Sequence, residues 1–136
     1  MKLTTYLLFN GNCEEALTFY AKALGGKPVM LVRYSETPAA KTSPPEIQQK
    51  IIHGRIAIGD DFIMACDAPP QHYDKPAGFS INIGVETPEE AERLFKALSE
   101  KGEIGMPMAE TFWAQRFGML VDQFGVSWMV NCEKKA

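Results

Sequence analysis

Apolar positions along the chain change period in a repeating order. "TTYLLFNG", from Thr4, alternates as a strand does. The next stretch, "EEALTFYAKALGG", places Ala16, Phe19, Tyr20, Ala23 and Leu24 at helical spacing. Three strand-like runs follow: "KPVMLVRYS", "KIIHGRIAIG" and "DFIMACD". The same order then returns, with "FSINIGVE" as a strand and "EEAERLFKALSEKG" as a helix carrying Ala91, Leu94, Phe95 and Leu98. The strands "EIGMPMAE", "AQRFGMLVD" and "VSWMVN" complete it. The pattern is β-α-β-β-β written twice. It predicts an α+β protein in which each sheet is covered on one face by its helix.

Local signals set the boundaries. Asn12, with Glu15 three residues on, predicts the first helix start. Thr87, followed by Pro88 and Glu90, predicts the second as a capping box. Gly25–Gly26 and Gly102 are the expected stops. "GDD" and "DQFG" suit hairpin turns, with Asp122 bonding its own backbone in the latter. The proline-rich stretch 68–78 marks the break between repeats, and His72 within it is expected at the surface. Residues 35–49 contain three prolines and read as a lid or a plain flexible excursion.

Composition narrows the function classes. A net charge of −3 with no basic block argues against nucleic acid as a partner. No apolar run is long enough to span a bilayer, and the start lacks the pattern of a secretory signal. Cys13, Cys66 and Cys132 are too scattered for a disulfide framework, which suits a reducing, cytoplasmic setting. Cys66 and Cys132 read as small apolar residues in strands. Cys13 stands at a helix start, where the dipole favours a thiolate.

Three segments carry a resemblance: "YLLFNGNCEEALTFYAKALGG", "GDDFIMACDAPP" and "ETFWAQRFGMLVDQFGVSWMVN". With the paired β-α-β-β-β pattern, they resemble the PhnB-like branch of the vicinal oxygen chelate superfamily, which includes glyoxalase I, bleomycin-resistance proteins and extradiol dioxygenases. The resemblance implies the glyoxalase/bleomycin resistance/dioxygenase fold: one domain over 1–136, made of module 1–70 and module 76–134, whose curved sheets form a cup. It also implies a homodimer. Some members bear the name demethylubiquinone methyltransferase, yet no glycine-rich loop here follows a strand and opens a helix as a Rossmann-type site requires.

Metal-using members of the superfamily place ligands on the first and last strands of each module. With the two "EEA" triplets superimposed, Thr5 falls on Ser80 and Phe9 on Gly84, and the ligand positions become Thr5, Met64, Ser80 and Met129. Hydroxyls and thioethers are poor donors for such a divalent ion. The standard metal site is therefore expected to be missing, and no cofactor is expected.

Other candidates have chemistry of their own. His53 and Glu110 could act as an acid–base pair or, with Arg33, Arg55 or Arg116, hold an anion. Ordinary surface pairing is the alternative for each. Trp113 suits either a stacking surface at a cup rim or a core position. Trp128 alternates with Met129, so Met129 pointing inward puts Trp128 in the core. Phe9 shares parity with Thr5 and is expected to face the cavity. The leading reading is a small-molecule binder using Phe9, His53, Met64, Ser80, Glu110, Trp113 and Met129. The alternative is a metal-dependent lyase or dioxygenase-type enzyme with an unconventional site at His53 and Glu110. A dimer with no ligand is the third.

Overall fold

The structure, a computed structural model, describes residues 1–135. It divides into two compact units, residues 1–74 and the residues from 75 onward. The first contains β1 (Thr5–Phe9), α1 (Cys13–Leu24), β2 (Lys27–Arg33), β3 (Ile51–Ile58) and β4 (Asp61–Asp67). The second contains β5 (Ile81–Gly84), α2 (Pro88–Leu98), β6 (Glu103–Ala109), β7 (Ala114–Val121) and β8 (Ser127–Glu133). Each unit is a four-stranded sheet, ordered β1-β4-β3-β2 and β5-β8-β7-β6. β1 runs parallel to β4 and β5 to β8, whereas the remaining neighbours are antiparallel.

In each unit the helix lies close against one sheet face because glycine makes room for it. A Cβ on Gly54 would sit 2.7 Å from Leu17 Cδ1, and one on Gly118 would sit 2.7 Å from the Phe95 ring. Residues in register share a face. Leu7, Ala65 and Gly54 therefore turn to α1, and Ile83, Val130 and Gly118 turn to α2. α2 buries Ala91, Leu94, Phe95 and Leu98, the residues its spacing predicts. The buried stripe of α1 is Cys13, Ala16, Leu17, Tyr20, Ala21 and Ala23, with Phe19 and Leu24 at its half-buried margin.

Two boundary signals differ from expectation. The Asn12 side chain caps nothing. Instead the buried Asp67 carboxylate, at the end of β4, accepts the backbone N–H groups of Gly11, Cys13 and Ile51, each at 2.9 Å. Thr87 does cap α2, accepting the Glu90 N–H at 3.2 Å. Gly25 ends α1 in the left-handed conformation at φ 70°. Gly102 is no cap: α2 ends at Leu98, and a Cβ on Gly102 would meet the Val121 carbonyl oxygen at 2.4 Å.

The 35–49 stretch folds on itself through short 3-10 turns. The Gln48 amide donates to the Ala40 and Ser43 carbonyls, and Ile47 is buried. Just before it, the Tyr34 hydroxyl donates to the Asp67 carbonyl at 2.7 Å. No helix among the described residues is long and apolar enough to cross a membrane.

Candidate functional site

Each sheet has a second face, turned away from its helix, and the large side chains left there define the candidate site. In the first unit Met30, Arg55, Met64 and Tyr6 form one row across the sheet. Beside it lie Val32, His53, Cys66 and Leu8. Tyr6 Oη is 3.1 Å from His53 Nδ1, and the two rings stack with centroids 5.7 Å apart. Cys66 is hydrogen-bonded to the same hydroxyl. Burial, reinforced by Cys66, pushes the Tyr6 pKa well up, so the phenol stays protonated. The Arg55 guanidinium lies over the Phe62 ring at 4.7 Å, and its Nε is buried without a hydrogen-bond partner.

In the second unit the corresponding row is Met106, Met119, Met129 and Asn82. The next row contains Phe117, Asn131 and Gly84. Trp113, from the turn before β7, sits over that row. Its indole N–H donates to Asn131 Oδ1 at 3.2 Å, and its ring meets Phe117 edge-on at 5.2 Å. It remains 41% exposed. Ser80 also lies on this side, 2.6 Å from the Ser127 hydroxyl. Trp128 takes the helix side at 1% exposure, with its N–H donating to Asp122 at 2.7 Å. Asp122 also accepts the Phe124 and Val126 N–H groups, holding the turn as its position predicts.

Other sequence candidates fall elsewhere. Phe9 is 3% exposed and shares the helix side with Leu7 and Thr5, which corrects its expected orientation. The reason is a one-residue difference in the strand-to-helix connections. Leu7 precedes Cys13 by six residues, whereas its counterpart Ile83 precedes Pro88 by five. Superimposing the helices therefore displaces β1 by one: the counterpart of Asn82 is Tyr6 rather than Leu7, and Thr5 matches Ile81 rather than Ser80.

His53 and Glu110 belong to different units, and each has a local partner: Tyr6 for His53, and Lys134 at 3.0 Å for Glu110. Arg33 pairs with Glu14 and Arg116 with Glu92. His72 is exposed in a 3-10 turn. Cys13 is buried, and burial followed by the Asp67 charge raises its pKa, so the helix dipole does not yield a thiolate there. Cys132 is buried as expected, but Cys66 is half-buried on the open face.

The row that joins the first and last strands of each unit thus presents Tyr6 and Met64, and Asn82 and Met129, on the open face. One amide oxygen, beside a protonated phenol and two thioethers, is not a donor set for a hard or borderline divalent cation. Among the described residues, no group of three or more His, Cys, Asp or Glu could hold a metal ion. The sequence reading missed Tyr6, although its alternation with Leu7 and Phe9 was the available signal. It also missed Asp67, whose only signal was an acidic residue ending an apolar strand.

A family model described as 3-demethylubiquinone-9 3-methyltransferase matches residues 1–131. The chain belongs to this family. Protein YjdN of Escherichia coli (strain K12) is 35% identical, with 99% of this chain and 97% of that protein covered. The crystal structure of protein PA1353 from Pseudomonas aeruginosa is 43% identical, with a TM-score of 0.90 and 99% of each chain covered. A Bacillus cereus structure, a putative 3-demethylubiquinone-9 3-methyltransferase named PhnB protein, is 29% identical with a TM-score of 0.81, covering 97% of this chain and 99% of its own.

The wider fold is shared with a glyoxylase/bleomycin resistance protein/dioxygenase domain from Frankia sp. EAN1pec, at 11% identity, TM-score 0.67 and 98% coverage of both chains. This 3-demethylubiquinone-9 3-methyltransferase family member is accordingly PhnB-like and has the α+β glyoxalase/bleomycin resistance fold. In it the first strand-to-helix turn is already filled from within. The donors that would greet a phosphate at the start of α1 meet the Asp67 carboxylate.

Proposed function

We propose that this PhnB-like protein binds a small, flat, largely apolar molecule on the open face of a single sheet, without the standard metal site of the superfamily. The observation that carries this reading is Trp113. Its indole N–H is fixed by Asn131 and its edge by Phe117, yet much of its surface remains open beside a row of three methionines. A ring fixed in this way stacks on a planar ligand at little entropic cost, and thioethers adapt to the ligand's outline. The Tyr6, Met64, Asn82 and Met129 set supports binding without metal. Three free thiols suit a reducing, cytoplasmic setting.

The test combines an elemental analysis with a titration. Protein purified without added metal should carry no stoichiometric divalent ion and show no methylglyoxal–glutathione lyase activity. About one zinc, nickel or iron per chain, lost on replacing His53 or Glu110, would instead favour the enzyme reading. Trp113→Ala should weaken binding of a planar aromatic probe, 2-naphthoate, by about 1–3 kcal/mol at unchanged thermal stability. An unchanged affinity removes Trp113 from the site.

A further inference from the structure

We infer that the open face of the first unit reads a negative charge on a small molecule bound to that face, with Arg55 as the counter-charge and Tyr6 and His53 as polar groups beside it. The ligand class this selects is a planar aromatic carboxylate. The inference rests on the small-molecule reading above and adds the charge.

Arg55 differs from the other arginines. Arg33, Arg93 and Arg116 each pair with a glutamate. Arg55 has no acidic partner among the described residues, and its Nε is buried with no acceptor. A buried donor of a charged group without a partner is costly, so such a group is retained where something supplies the acceptor. The neighbours cannot. Met30 and Met64 flank Arg55 in its row, Phe62 lies against the guanidinium, and no Asp or Glu stands in the open-face rows. Lys2 Nζ, 5.2 Å from the Phe62 ring centroid, adds a second positive charge. A ligand carboxylate on the remaining N–H groups of the half-buried guanidinium supplies the opposite charge that no neighbouring side chain does.

The groups beside Arg55 are set to help. Tyr6 Oη lies 3.1 Å from His53 Nδ1 and is also bonded to Cys66, so these three side chains form one polar cluster on the face that carries Arg55. His53 and Arg55 are alternate residues of β3, so their side chains leave the same face about 7 Å apart, within reach of one bicyclic acid.

The experiment is calorimetry with 2-naphthoate and its uncharged isostere 2-naphthamide, on the unaltered protein, Arg55→Gln and Arg33→Gln. The unaltered protein should bind the acid about tenfold more tightly than the amide, a preference that Arg55→Gln abolishes and Arg33→Gln retains. Equal affinity for acid and amide overturns the charge inference and leaves the apolar reading standing. Binding of neither overturns both. The arginine Nε–Hε spectrum of the unaltered protein supplies a check independent of any variant's folding. The Arg55 signal should move on adding the acid and hold still with the amide, and a stationary signal with the acid overturns the inference.

Discussion

Trp113 and Trp128 stand fifteen positions apart on one hairpin and have opposite duties. Trp128 is closed into the core with its N–H on Asp122, whereas Trp113 lies on the open face. Trp128→Ala should therefore destabilise the protein by about 3–5 kcal/mol in a thermal or denaturant melt. A loss below about 1 kcal/mol would put Trp128 outside the core. Asp67 is the other residue on which much depends, because three backbone N–H groups converge on it. Asp67→Ala leaves all three without their acceptor and should cost about 2–4 kcal/mol by the same measurement. The two residues were not equally legible. Alternation with Met129 placed Trp128 correctly, since a period of two is all that face assignment requires. Nothing local distinguishes Asp67 from a strand-end acid at the surface. Its role depends on Gly11 and Cys13, more than fifty positions away.

Among the elements, the two helix starts separate what a motif predicts from what the fold supplies. Asn12 and Thr87 both satisfy the capping pattern, but only Thr87 accepts a bond. Thr87→Ala should cost about 1 kcal/mol, while Asn12→Ala should change stability by less than about 0.5 kcal/mol. Equal losses in chemical denaturation would contradict the assignment of the first cap to Asp67. Strand and helix identities were readable because each period runs for a full element. The face of β1 was not, because it turns on one residue in the connection to α1. That single residue moved Phe9 and Thr5 to the helix side and put Tyr6 on the open face. Of the candidate site, Met64, Met129 and Trp113 could be read from alternation and turn position. The unpartnered state of Arg55 could not, since it is defined by what neighbouring strands lack.

For the whole molecule, both sheets end in strands with large apolar side chains at the surface: Val29 and Met30 on β2, Ile104 and Met106 on β6. Open edges of this kind invite a second copy. Light scattering should give twice the chain mass of 15.1 kDa, and a monomer over a broad concentration range would contradict this expectation. The central claim, that the open faces and not the helix-packed ones receive the ligand, has a more direct reporter in the methionines. Met30, Met64, Met106, Met119 and Met129 lie on the open faces. Met108 lies on the helix side, its Sδ 2.6 Å from where a Gly118 Cβ would be. A methyl-labelled methionine spectrum, assigned by Met→Leu replacements and titrated with 2-naphthoate, tests the claim in one experiment. In each unit the open-face methyl signals should shift, while Met108 stays in place. A spectrum in which none moves, or in which Met108 moves and the others do not, would contradict it.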